Sequence, residues 1–326
     1  MKKELERRLR LLDRLKEKVD IIFLDSLHAE DFSFTYFTNA DIPGIFLYDF
    51  KEARFYAPKM EVMRARKSFL KPEIIENEFI KELGRNLKHK RVGINAKCLP
   101  FKVARRFKCI DISNYLEEAM SIKSEYEIKM IKKACKLTEK VLKNSVGKIE
   151  ECKNEKELRL LIERNIYSLN CELAFEPIVA AKKNTKEPHH KASNTTLSKP
   201  ILIDFGVKYR FYGSDVTRTY GSRYEKQLKN TLEALEDNIK PGTSAKRLHE
   251  LAEKLLGKYA KYFITALGHG VGLYHGKPII SKYSKDVIKV NQVFTLEPGI
   301  YTSKEGARIE NVYLLTQDGL VNLTDF

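Results

Sequence analysis

The sequence predicts an α+β protein of two domains, a smaller α/β domain over residues 1–117 and a larger α+β domain over 118–326. Three observations lead there. Short apolar, strand-like runs alternate with amphipathic stretches in the first third. Long charged helical segments replace them beyond about residue 125, and the last third returns to strand-like runs broken by glycine-containing turns. With 326 residues and 43% hydrophobic composition, the chain has enough apolar material for two cores.

The first domain reads in order as a helix over 4–18, on which Leu9, Leu12 and Leu15 recur, and then a strand over 19–24. Strands over 44–48 and 53–57, a helix over 72–87 and a strand over 91–95 follow. Its histidines, His28 and His89, have no acidic or cysteine partners at metal-ligand spacing. The boundary falls near 114–124, where a long helix begins that carries Ile128, Ile131, Ala134, Cys135 and Leu142. A second helix starts at Asn154, a cap with Glu157 three residues on, and places Leu158, Leu161, Ile162 and Ile166 on one face. Next come a strand over 176–181, a polar loop over 182–199, a strand pair over 201–220, and helices over 222–239 and beyond Thr243. Strands and turns fill the remainder.

Composition narrows the classes. Five cysteines, Cys98, Cys109, Cys135, Cys152 and Cys171, are odd in number and contain no CxxC pair, as expected of reduced structural residues in a cytoplasmic protein. No apolar run reaches the roughly 20 residues of a membrane helix, and residues 1–10 are charged rather than signal-like. The balance of 60 Lys+Arg against 44 Asp+Glu gives a net charge of +16. The basic residues are interleaved with glutamate along the helices and match no nucleic-acid motif, so neither a specific nucleic-acid partner nor a membrane is expected. Abundant Lys and Glu with three glutamines, Gln227, Gln292 and Gln317, fit a heat-adapted composition.

The chemistry begins at Asp204, a carboxylate inside the apolar run 201–207. Burying an unpaired charge costs several kcal/mol in effective terms, so a cation, metal or hydrogen-bond network should stand beside it. A hairpin turning at Tyr209 and Arg210 sets Asp215 directly opposite Asp204. A second hairpin, centred between Ser303 and Lys304, brings Glu297 to Glu310. Opposed like charges require something positive between them, and Arg218, the arginine at hand, cannot neutralise four carboxylates. His269, flanked by Gly268 and Gly270, adds a nitrogen donor on backbone that permits close approach. Four carboxylates and one imidazole form an oxygen-rich set suited to a pair of divalent ions.

These residues resemble those of the pita-bread metallopeptidases, which include proline dipeptidase, aminopeptidase P and methionine aminopeptidase, together with the non-metal enzyme creatinase. The resemblance is carried by 203–206, 214–219, 268–272, 295–299 and 308–311, in the family's order and approximate spacing. It implies a C-terminal pita-bread fold. The N-terminal segment, with Tyr36, Phe37 and Thr38, looks like the creatinase-like domain of the proline-directed branch. As implied by the resemblance, Asp204 holds one ion, His269 and Glu297 hold the other, and Asp215 and Glu310 bridge both. The ions would be Mn2+ or Co2+. A bridging water is the implied nucleophile, and Glu297 moves its proton toward the leaving nitrogen. His189 matches the family's substrate histidine, and His275 one that steadies the tetrahedral intermediate or leaving amine. The implied activity is hydrolysis of Xaa-Pro bonds in small peptides by a homodimer, whose N-terminal domain serves dimerisation and closes the pocket.

Three departures from the family touch the substrate pocket and leave the ligand set intact. Thr265 stands where a histidine is usual, His275 follows His269 by six residues rather than seven and precedes Gly276, and Ile279 replaces an arginine frequent in dipeptidases. Lys277 is then the candidate partner for a substrate carboxylate. The alternatives are an aminopeptidase P acting on longer Xaa-Pro peptides, and a pita-bread binding protein without catalysis. The kinase-like Asp-Phe-Gly at 204–206 lacks the other kinase motifs, and the glycines of 268–272 do not follow a dinucleotide fingerprint.

Overall fold

The computed structural model describes residues 2–76 and 78–326. They form two compact units, Met1–Met120 and Ser121–Phe326.

In the first unit six strands make one mixed sheet, ordered Glu73–Ile74, Ala53–Ala57, Ile45–Tyr48, Ile21–Asp25, Arg91–Ile94 and Lys108–Asp111. Ile21–Asp25 is buried along its whole length because it is central, antiparallel to one neighbour and parallel to the other. The expected first helix is shorter, Lys2–Arg10, followed by a single 3-10 turn at Asp13–Leu15. Asn77, inside the helix expected over 72–87, lies outside the described residues; the helix there runs Phe79–Leu87. Three helices were not read from the sequence, Phe32–Thr38, Phe101–Ala104 and Ser113–Ser121. The first is capped by Asp31, which accepts from the Ser33 amide at 2.9 Å, but its run of aromatic and β-branched residues mimics a strand. His28 does meet an acid, Asp25, at 2.7 Å.

The second unit repeats one theme twice. Helices Glu125–Val146 and Glu155–Ser168 pack Val141, Leu142, Leu158 and Ile162 against Val179, Ile203 and Phe205. Helices Glu225–Glu236 and Ala245–Leu256 pack Leu228, Leu232, Leu248 and Ala252 against Phe294, Leu296 and Tyr313. Ser124 opens the first helix with a capping box, accepting from the Glu127 amide while the Glu127 carboxylate accepts from the Ser124 amide. Asn154 caps the second, and the Glu157 carboxylate turns to the Lys153 amide. Among the described residues no helix is long and apolar enough to cross a membrane.

Each half ends in a hairpin, and the register decides what the hairpins carry. Ile201–Phe205 pairs with Val216–Tyr220 so that Asp204 lies opposite Thr217, not Asp215. The reason is the turn: Tyr209 pairs with Tyr212, and Arg210 and Phe211, both at positive φ (48° and 76°), form the two-residue loop. The slip relative to the sequence reading is two residues. Strand side chains alternate with period two, so Asp204 and Asp215 keep the same face and become diagonal neighbours. The second hairpin follows the expected register, with Gly299 opposite Arg308 and Leu296 opposite Asn311.

Gly206 sits where the first ladder breaks, and a Cβ there would stand 1.9 Å from the Ser214 carbonyl oxygen. Backbone cannot yield as a flexible side chain does. Gly206→Ala is expected to destabilise the protein by about 1–3 kcal/mol in chemical denaturation, as the strands carrying Asp204 and Asp215 part.

Candidate metal centre and cleft

Asp204 and Asp215 come from the first hairpin, His269 from the strand Gly268–Gly270, and Glu297 and Glu310 from the strand ends of the second hairpin. The structure brings all five together, their donor atoms falling into overlapping groups within 4.8 Å: Asp204, Asp215 and Glu310; His269, Glu297 and Glu310; Asp215, His269 and His275. His269 Nε2 is 3.5 Å from both Asp215 Oδ2 and Glu297 Oε1. A Cβ at Gly268 would lie 2.0 Å from the Thr295 carbonyl oxygen, so glycine is what lets this strand approach its neighbour. Two threonines hold the donors in place, the first of them across the two halves. Thr217 donates to Glu310 Oε2 at 2.7 Å, and Thr295 Oγ1 accepts from the His269 amide at 3.1 Å.

The arginine at the cluster is Arg308, not Arg218. Its buried guanidinium donates to Asp204, to the Tyr301 hydroxyl, to Thr217 Oγ1 at 3.0 Å and to the Pro188 carbonyl at 3.4 Å. Arg218 alternates to the other side of its strand and serves the backbone carbonyls of Thr217, Glu310, Thr324 and Phe326. Parity along the strand would have separated the two arginines had the register been known.

The electrostatics are those of a crowded anionic site. Burial first, and then Glu310, Asp204 and Glu297, push the Asp215 carboxyl well above the usual range. Glu310 is raised likewise by burial and by Glu297 and Asp204. Burial lifts Glu297 to about 7 against the pull of Arg308. Burial and then the neighbouring His275 lower His269 to about 4, so its imidazole is neutral. The Gly270 carbonyl can only accept, which puts the proton on Nδ1, 3.3 Å away, and leaves the Nε2 lone pair facing two carboxylates. That juxtaposition is repulsive unless a cation lies between. Asp204 Oδ1 points the same way: it is buried and has no hydrogen-bond partner. Hard oxygen donors, one imidazole and an orphaned carboxylate oxygen fit divalent cations.

His189 and His275 line the same cavity of about 500 Å³, with Phe175, Ile178, Ile264 and Thr265. His275 stacks on His269 at 4.3 Å, meets Phe175 edge-on at 5.5 Å, and has Nε2 3.4 Å from Asp215 Oδ2, nearer the donors than the sequence suggested. His189 is exposed on a loop that buried Glu155 holds in shape. One Glu155 oxygen accepts from the Ala181 amide (2.7 Å) and Asn184 (2.9 Å). The other accepts from the Ser193 amide (2.8 Å) and hydroxyl (2.6 Å) and meets His190 at 2.8 Å. Neither Glu155 nor Arg308 was singled out from sequence. Glu155 reads there as an ordinary first-turn acid, and Arg308 was visible within a motif without a role. Lys277 does not line the cavity; it pairs with Asp286 at 3.7 Å.

A carboxylate cluster with one imidazole, lining a cleft, is a donor set for divalent metal. Residues 129–317 match metallopeptidase family M24, and the chain belongs to that family. It is 32% identical over 350 residues to the Xaa-Pro dipeptidase of Pyrococcus furiosus, covering 99% of this chain and 98% of that one. The prolidase structure from Pyrococcus horikoshii superposes with a TM-score of 0.86 at 28% identity, covering 99% and 98% of the two chains. An X-Pro aminopeptidase from Thermotoga maritima gives 0.85 at 27% identity, covering 96% and 98%.

The raised carboxyls make the metal-stripped protein sensitive to pH. Below about 4.5 Glu297 is protonated folded or unfolded, whereas between about 4.5 and 7 the folded form keeps a proton that the unfolded chain releases. Stability of chelator-treated protein should therefore fall as pH rises through that window, by on the order of 3 kcal/mol from this residue alone. Thermal melts across pH 4–8 read the slope, and saturating divalent metal should abolish it.

Proposed function

We propose that this protein is a dinuclear metallopeptidase that hydrolyses Xaa-Pro bonds in small peptides, as a Xaa-Pro dipeptidase. The observation that carries the reading is the five-donor cluster at the floor of a cleft rimmed by His189 and His275. Its support is similarity over nearly the whole chain to a Xaa-Pro dipeptidase. Asp204, Asp215, His269, Glu297 and Glu310 would hold two divalent ions, Mn2+ or Co2+, with Asp215 and Glu310 shared between them. Bound there, such ions would supply Lewis-acid activation of water and of the scissile carbonyl at neutral pH.

The chain's own groups do the rest. Glu297 carries the proton from the nucleophile toward the departing proline nitrogen, with the Thr295 hydroxyl 3.4 Å from its Oε1. His189 and His275 present ring N–H groups to the oxyanion or the leaving nitrogen. Arg308 keeps Asp204 in place and, through the Pro188 carbonyl, steadies the residue next to His189. Free cysteines throughout fit the cytoplasm, and we assign the N-terminal domain, to about residue 117, to a homodimer interface and to closing the pocket. An aminopeptidase acting on longer Xaa-Pro peptides is the second reading, favoured by a cleft lined by no lysine.

Metal-loaded protein should cleave Xaa-Pro peptides and bind two divalent ions, with Asp215→Ala or Glu310→Ala losing more metal than Asp204→Ala in elemental analysis. No more than one specific ion in fully active protein would refute the dinuclear reading. His189→Ala should lower kcat by about 10²–10³ with metal content and melting temperature unchanged. For His275→Ala the same metal assay separates two roles: intact metal with slow turnover makes it a hydrogen-bond donor, and loss of an ion makes it a ligand.

A further inference from the structure

Next to the catalytic cleft lies a second cavity of about 460 Å³, and the two share the segment Ile264, Thr265 and Ala266. Its wall has a different chemistry. It carries Lys261 and Lys282, with Ser281, His249 and the exposed ring of Tyr283. Each ammonium lies beside the ring of the tyrosine that follows it, at 5.1 and 5.0 Å, and neither makes an ion pair among the described residues. The acid of this wall, Glu253, faces His249 Nε2 at 3.7 Å.

Two polar atoms of the same wall are buried without a hydrogen-bond partner, His249 Nδ1 and Thr265 Oγ1. His249 is 3% exposed, and its ring stacks on Phe263 at 4.9 Å. Buried polar atoms are ordinarily satisfied, so a cavity wall with two orphans and two free cations is short of a ligand's polar groups.

A peptide substrate brings one obligatory anion, its C-terminal carboxylate. The catalytic cleft is lined by no lysine to receive that group, and Lys277 is engaged by Asp286. We propose that the adjoining cavity is the subsite for the C-terminal carboxylate of a peptide extending beyond the proline, held between Lys261 and Lys282. The inference rests on the Xaa-Pro reading and, within it, favours the second form, an aminopeptidase acting on short peptides of the Xaa-Pro-Xaa type with a free C-terminus. Thr265, on the shared rim, offers its hydroxyl to the peptide backbone between the two sites. Ile264 and Tyr283, 66% and 82% exposed, provide apolar surface for the side chain after proline.

The test uses metal-loaded wild-type protein and the double variant Lys261→Met/Lys282→Met, whose altered side chains are exposed and outside the catalytic machinery. Calorimetry with Pro-Leu and Pro-Leu-amide, which resemble the departing product, reads the subsite without turnover. The free acid should bind wild type about tenfold or more tightly than the amide, and the double variant should bind both alike. Xaa-Pro-Leu hydrolysis should then show a KM raised by a similar factor with kcat unchanged. Equal binding of acid and amide by wild type, or a preference surviving in the variant, overturns the proposal. Equal dependence on the two lysines for Xaa-Pro dipeptides also overturns it, because the carboxylate would then belong to proline itself. Acid preference without hydrolysis of any Xaa-Pro peptide would instead sink the peptidase reading and leave the anion subsite standing.

Discussion

Mutual repulsion among four carboxylates, three of them buried and Glu297 half-buried, is the constraint on which the second unit depends. Two unit charges 4 Å apart at an effective dielectric of about 20 cost about 4 kcal/mol, and the cluster contains several such pairs with one guanidinium to oppose them. Burial first, and then that imbalance, raises the carboxyls of Asp215, Glu297 and Glu310. Protonation relieves it at low pH, and divalent cations relieve it at neutral pH. A fold that puts these groups together for any purpose other than holding cations would carry the cost without return, which is why the cluster argues for chemistry more strongly than any one of its members.

Keeping the groups in place falls to the two hairpins and the bonds that tie them. Glu310 donates its amide to the Thr217 carbonyl, and the Thr219 hydroxyl both donates to the Arg308 carbonyl and accepts from the Arg308 amide. The hairpin carrying the aspartates is thus clamped edge to edge against the one carrying the glutamates. Each is backed by its own helix pair and apolar cluster. Arg308 then joins Asp204, Thr217, Tyr301 and Pro188 through one rigid fork. Lysine could neutralise a carboxylate there, but it could not hold four partners in one plane.

The division into two kinds of segment and the residues of the cluster could be read from the sequence because both depend on local pattern. A charged residue interrupting an apolar strand is conspicuous, and the hydrophobic period of the long helices is strong. Register was less legible. The sequence reading placed the turn one residue early because Arg210 and Phe211 are not typical residues for a loop with two positive φ values. The error shifted the pairing by two, and only the period of the strand kept Asp215 on the correct face. Had the slip been one residue, the aspartate would have pointed away. Long-range partners were invisible for the same reason. Arg308 meets Asp204 across more than a hundred residues, and Glu155 serves a loop about 26 to 38 residues downstream. No spacing rule connects such pairs.

Glu155 also resolves a difficulty in the proposed chemistry. His189 is exposed and sits on a polar loop, the kind of segment whose free motion would dilute any contribution to transition-state binding. A fully buried carboxylate is costly unless it is well hydrogen-bonded, and Glu155 meets that requirement with five hydrogen bonds from four residues, Ala181 at the end of the preceding strand and Asn184, His190 and Ser193 of this loop. Their effect, led against burial by the bond from Ser193 and followed by those from His190 and Asn184, is to hold its carboxyl below the usual range. The charged form is thereby the stable one at neutral pH, and the loop can satisfy that charge only by closing around it. His190 spends its imidazole on this clamp, which leaves its neighbour His189 as the ring that lines the cleft. Rigidity at an exposed position proposed as catalytic is supplied here from beneath, by a buried anion that organises the backbone on both sides of it.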